Sequence, residues 1–70
     1  MKISARNVLR GKVTEVRKGV VAAQVQVDVG GGNVVTATIT VDSAERLALA
    51  AGKEVSVVIK ASDVMIATDE

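Results

Sequence analysis

Val21-Ala22-Ala23-Gln24-Val25-Gln26-Val27-Asp28-Val29, Gly30-Gly31-Gly32-Asn33 and Val34-Val35-Thr36-Ala37-Thr38-Ile39-Thr40-Val41 form the stretch that decides the fold. Val21, Ala23, Val25, Val27 and Val29 alternate with Ala22, Gln24, Gln26 and Asp28, the period of a half-buried strand. Val35, Ala37, Ile39 and Val41 alternate in the same way with Thr36, Thr38 and Thr40. The Gly/Asn cluster between them tolerates positive φ, so the whole stretch reads as a β-hairpin. Upstream, Val8 to Arg17 reads as a first strand that closes into a tight turn at Lys18-Gly19. Gly11 inside that strand marks a bulge or a bend. Downstream, Asp42-Ser43-Ala44-Glu45 has the spacing of a capping box, which predicts a helix over Ser43–Ala50. That helix would turn Leu47 inward and stop at Gly52. Glu54 to Lys60 reads as a fourth strand with Val55, Val57 and Ile59 on one face. Ala61-Ser62-Asp63 then turns the chain into a short fifth strand, Val64 to Ala67. The order β-β-β-α-β-β predicts an all-β protein: a small five-stranded OB-like barrel with one short helix between strands 3 and 4. No repeat or linker interrupts residues 1–70, which read as one domain.

Composition bounds the function. A chain of 70 residues buries only about 60% of its unfolded surface, and such domains usually need a staple or a partner. Cysteine and histidine are absent, so disulfides, thiolate sites and imidazole sites fall away together. Hydrophobic residues make up 49% without one aromatic, leaving Val, Ile, Leu and Ala as the apolar mass. A homo-oligomer is therefore expected. The formal net charge is +1, with acids and bases dispersed rather than gathered into the basic face of a nucleic-acid binder. OB barrels that bind single strands stack bases on aromatic side chains, and this chain has none. No apolar run approaches the roughly 18 residues needed to cross a bilayer. No secretory leader pattern follows Lys2, so a cytoplasmic location is expected.

Reactive groups concentrate in two places. Ser4-Ala5-Arg6-Asn7 near the start and Ile59-Lys60-Ala61-Ser62-Asp63-Val64 near the end each set a fixed cation beside a hydroxyl and backbone N–H groups. Singly, each residue has a plainer reading. Arg6 and Lys60 suit solvated strand ends, Ser62 a turn, and Ser4 a polar residue near a terminus. Their joint occurrence changes that. Elsewhere, Asp42 and Glu45 are helix caps, and no acid pair is arranged for acid–base work. Gly30–Gly32 lacks the Lys-Ser/Thr and the helix of a phosphate loop. No nucleophile–base pair and no ligand set for a bare cation stands out, so an enzyme is not expected.

These segments, with Gly11-Lys12-Val13, Ile39-Thr40 and Ser43, make the chain resemble the molbindins. These are the small molybdenum-pterin-binding (Mop) proteins with a TOBE-like domain, and the resemblance runs end to end. It implies a five-stranded OB-like barrel assembled as a hexamer, a trimer of dimers. Molybdate or tungstate would bind as an intact oxyanion at subunit interfaces, for storage and homeostasis, with no covalent cofactor. The resemblance further implies a principal site formed by the N-terminal Ser and Arg of one subunit and the Lys-Ala-Ser segment of its neighbour, which on this sequence are Ser4, Arg6, Lys60, Ala61 and Ser62. Ala5, Asn7 and Thr40 are possible further contacts, and Gly19-Val20 marks a possible second site.

The chemistry of the residues agrees with an oxyanion. A tetrahedral dianion without protons requires donors and repels acceptors. Arg6 supplies a planar fork of N–H groups and Lys60 a compact ammonium. Ser4, Ser62 and the N–H groups around Ala61 complete the shell as a turn-like nest. Charge-assisted bonds are short and strong, so a few suffice. Cavity size would separate molybdate from sulfate, and a protonated phosphate would bring a donor to a site built of donors. The competing expectation is an assembly module with no anion preference; a nucleic-acid-binding OB fold ranks below it.

Overall fold

The computed structural model describes residues 1–69. Four strands form one antiparallel sheet in the order β3-β2-β1-β4: β1 (Asn7–Lys18), β2 (Ala22–Gly30), β3 (Asn33–Thr40) and β4 (Glu54–Ile59). A single-turn helix, α1 (Val41–Arg46), and a 3-10 turn, η1 (Ala61–Asp63), complete the described elements. The hairpin expected from the alternation is present, and Gly30, Gly31 and Gly32 all take positive φ. Two side chains tighten it: the Asp28 carboxylate accepts from Gly30 N at 2.8 Å, and Asn33 Nδ2 donates to Gly30 O at 3.2 Å.

The long strand β1 organises the sheet. Its first half, Asn7 to Lys12, pairs with Ile59 to Glu54 of β4; its second half, Lys12 to Lys18, pairs with Asp28 to Ala23 of β2. Lys12 is the hinge residue common to both ladders. The register shift falls at Thr14, between Val13 and Glu15, rather than at Gly11. Gly11 serves a different purpose. A Cβ there would lie 2.6 Å from Val27 Cγ1 and 2.7 Å from Asp28 O, so only glycine lets β1 run this close to β2.

Val13, Val25 and Val27 form the buried cluster, with Val16, Val29, Ile39, Leu49, Val55 and Val57 packed against it. Ala23 and Ala44 are buried as well. With so little apolar volume behind one sheet, the core is thin. An apolar trough of about 200 Å³ remains open beside it, lined by Val13, Val27, Ile39, Leu47, Leu49 and Val57 among others.

Several expectations need correction. Val64 to Ala67 forms no strand: the segment has no ladder partner, and Met65 and Ile66 are 92% and 87% exposed. Its β-branched composition suits a strand, but a strand also needs an edge within reach, and local sequence does not encode that. The sheet is consequently four-stranded and unclosed, with β3 and β4 as edges, rather than a five-stranded barrel.

The helix starts earlier than its capping box suggested. Thr40, not Asp42, is the N-cap, its Oγ1 accepting from Ser43 N at 3.0 Å. The helix also ends sooner. Ala48 N donates to Glu45 O and Leu49 N to Ala44 O, the paired bonds of a Schellman motif, with Ala48 at φ 52° in the position glycine usually takes. Gly52 belongs to the next turn, where its N–H donates to Val13 O at 2.7 Å. Leu47 is 56% exposed rather than turned inward, and Ala44 and Leu49 take the inner positions.

Candidate functional site

The β1–β4 ladder joins the two segments singled out in the sequence. Its last pair is Asn7 with Ile59, so residues 4–6 and 60–62 leave the same end of the sheet. In an antiparallel pair, residues directly opposite share a face and successive residues alternate faces. Leu9/Val57 and Gly11/Val55 lie on the core face, where Val55 and Val57 pack. Val8/Val58, Arg10/Ser56 and Lys12/Glu54 therefore lie on the outer face. The ladder ends there: Arg6 stands at a bend and Lys60 leads into the 3-10 turn, so one chain brings both segments, each with its cation, to the same end of the sheet. Like charges gathered at one end are unfavourable, and a bound anion reverses that sign. Both side chains are exposed, with no carboxylate of the described residues within ion-pairing distance. The one ion pair among the described residues is Arg17 with Glu15, at 3.2 Å.

The surrounding backbone adds donors. Lys60 is extended (φ −65°, ψ 135°) and leads into η1, closed by Asp63 N donating to Lys60 O at 2.9 Å and Val64 N to Ala61 O at 3.3 Å. The leading amides of such a turn, Ala61 and Ser62, have no acceptor within the turn itself. Ser62 is exposed, and across the sheet end Ser4 sits at a bend and is exposed too. Asn7 behaves differently: its Nδ2 donates to Ile59 O at 3.2 Å.

The other candidates lie elsewhere. Gly19, Val20 and Thr40 gather at the opposite end of β1, where Ala22 pairs with Thr40 and Gly19 N donates to Ala22 O. Val20, Val21, Thr40, Asp42 and Glu45 line a shallow depression there. Within one chain, Thr40 does not join Arg6 and Lys60. Its hydroxyl is also occupied, accepting from Ser43 N and donating to Ser43 Oγ at 2.8 Å. Sequence reading missed this use because Thr40 looked like one more residue in an alternating strand; the signal was a Thr three residues before Ser43. It also missed that one chain brings the Arg6 and Lys60 segments together, which depends on strand register.

No group of three His, Cys, Asp or Glu side chains among the described residues is placed to hold a metal ion. No helix among them is long and apolar enough to cross a membrane. The candidate site consists of donors.

The chain is similar along its length to known proteins. The TOBE domain family model matches residues 3–66. Molybdenum-pterin-binding protein 1 of Clostridium pasteurianum is 50% identical over 66 residues, covering 94% of this chain and 97% of that protein. The structure of MopII from the same organism, in an apo form, superposes with a TM-score of 0.89 at 48% identity, covering 96% of this chain and all of that one. ModG, described as a cytoplasmic molybdate-binding protein and solved with molybdate bound, matches at TM-score 0.83 and 52% identity, over 87% of this chain and 43% of that chain. The chain belongs to the TOBE-domain family, in its molybdenum-pterin-binding (Mop) branch.

Proposed function

We propose that this protein binds molybdate, or tungstate, as an intact oxyanion and serves as a cytoplasmic store that buffers it, without catalysing a reaction. What supports this reading is that the β1–β4 ladder, ending at Asn7 and Ile59, brings the Arg6 and Lys60 segments to the same end of the sheet. Ser4, Ala61 and Ser62 complete the donor shell around them. Relatives are named for molybdenum-pterin binding and for molybdate binding. With no aromatic side chain to stack on a pterin, the oxyanion is the better ligand for this chain.

The site is shared between copies in a homo-oligomer, a hexamer built as a trimer of dimers. Two free sheet edges, an open apolar trough and exposed Val20, Met65 and Ile66 support assembly. Residues 1–70 act as one such domain, and neighbouring copies complete an OB-like enclosure around each thin core. Thr40 and Gly19-Val20, at the far end of the sheet, contribute to anion contacts only through a neighbouring copy.

Native mass spectrometry with molybdate, tungstate and sulfate tests this directly, and it suits a protein without Trp or Tyr. A hexamer that takes up several molybdates but no sulfate supports the reading. A hexamer indifferent to all three leaves an assembly module, the alternative that the exposed apolar residues favour by themselves.

A further inference from the structure

We infer that Asn7 is a positioning residue of this oxyanion site and not one of its ligands; the inference rests on the molybdate reading above. Three observations converge. Asn7 is paired with Ile59, whose register partners inward along the strand, Leu9/Val57 and Gly11/Val55, lie on the core face. Alternation thus sets Asn7 on the core face, one residue along the chain from Arg6, as Ile59 is from Lys60. Second, its side-chain amide is already engaged, Nδ2 donating to Ile59 O across the ladder at 3.2 Å. Third, that acceptor is the carbonyl immediately before Lys60, at the last rung before the two cations.

The physical need for such a clamp follows from the charges. The final rung of a two-stranded ladder frays readily, because only one side of it is held. Here the residues beyond it repel each other, and fraying would let Arg6 and Lys60 swing apart. An anion would then have to restore their geometry as well as bind, and the ordering cost would lower its affinity. The Asn7–Ile59 bond holds the rung shut before the anion arrives. Asn suits this place: its short amide reaches the carbonyl directly opposite, adds no charge beside two cations, and leaves the backbone free to pair.

The test is calorimetric titration of molybdate into wild-type protein, Asn7→Ala, Lys60→Ala and the double variant. Hydrogen exchange at residues 7, 59 and 60 is read in parallel without molybdate. Asn7→Ala should weaken binding about three- to tenfold, the range for losing one neutral hydrogen bond. It should also speed exchange at the ladder end and lower the melting temperature by only a few degrees, with the oligomer mass unchanged. In the Lys60→Ala background, where the pair of like charges is gone, the same change should alter affinity less than twofold. Asn7→Gln, which keeps a primary amide, should recover part of the loss and tests the idea if Asn7→Ala fails to assemble. Equal losses in both backgrounds would make Asn7 a direct ligand and overturn the inference. So would unchanged affinity in Asn7→Ala while the wild type binds. A wild type that binds no molybdate would bring down the functional reading, and this inference with it.

Discussion

From Lys12 to Lys18, β1 pairs with β2 and sinks Val13 against Val25 and Val27, each no more than 4% exposed. From Asn7 to Lys12 the same strand pairs with β4, and its apolar residues stay near the surface, Val8 at 43% and Leu9 at 40%. The backbone is continuous and the hydrogen bonding equivalent. What differs is what lies behind each ladder. The β2 half closes on the hydrophobic cluster, so stability resides there. The β4 half ends at the two cations Arg6 and Lys60, and its core face borders an open trough, an arrangement that gains from a bound anion and from cover by other copies. Even the charges divide along this line: at the pivot, Lys12 stands opposite both Asp28 and Glu54, whereas the far end of the ladder leads to two cations, Arg6 and Lys60.

The sharpest way to break this division is at the pivot. Gly11→Val would drive a side chain into Val27 and the Asp28 carbonyl. It should cost about 3 kcal/mol or more, at the upper end for overpacking. Denaturant unfolding followed by far-ultraviolet circular dichroism measures it; a stable Gly11→Val variant would mean that the two halves are not held at this crossing.

Next comes the packed half. Val13→Ala removes two methyl-sized groups from the centre of the cluster and should cost about 2 kcal/mol. That corresponds to a melting temperature lower by roughly 8–16 °C in a domain of this size. Molybdate affinity at a temperature where the variant is folded should stay within about twofold of wild type. A large loss of affinity would show that site and core are coupled.

At the site end the signs reverse. Lys60→Ala should weaken molybdate binding about tenfold, consistent with losing one hydrogen bond to a charged group. Removing a like charge from the end of the sheet that holds Arg6 should leave the melting temperature without molybdate equal or slightly higher. A marked fall in that temperature would make Lys60 structural. The smallest effect belongs to Lys12→Ala. Its cross-strand neighbours Asp28 and Glu54 contribute about 0.5 kcal/mol together, screened by salt, and affinity should not change. A measurable change in affinity would extend the site along the outer row.

Much of the fold was readable residue by residue. The period-two alternation of β2 and β3, the Gly30–Gly32 turn and the Val55/Val57/Ile59 face each follow from local chemistry, because side-chain direction in a strand is set by backbone geometry alone. The misreadings share a different cause. Val64 to Ala67 has strand-like residues, but pairing depends on an edge many residues away. Asp42 and Thr40 both suit a cap, and the choice depended on how β3 delivers the chain into α1.

For the candidate site, the residue types and their two clusters were visible in the sequence, since Ser, Arg, Lys and a short turn can be recognised as anion donors wherever they stand. The tertiary structure decided their relation. The β1–β4 register brought the Arg6 and Lys60 segments to one end of the sheet, tied Asn7 to Ile59, and sent Thr40 and Gly19-Val20 to the opposite end. The physical reason is that sequence carries each residue's chemistry, while register, a sum over a whole ladder of pairs, determines which charges meet.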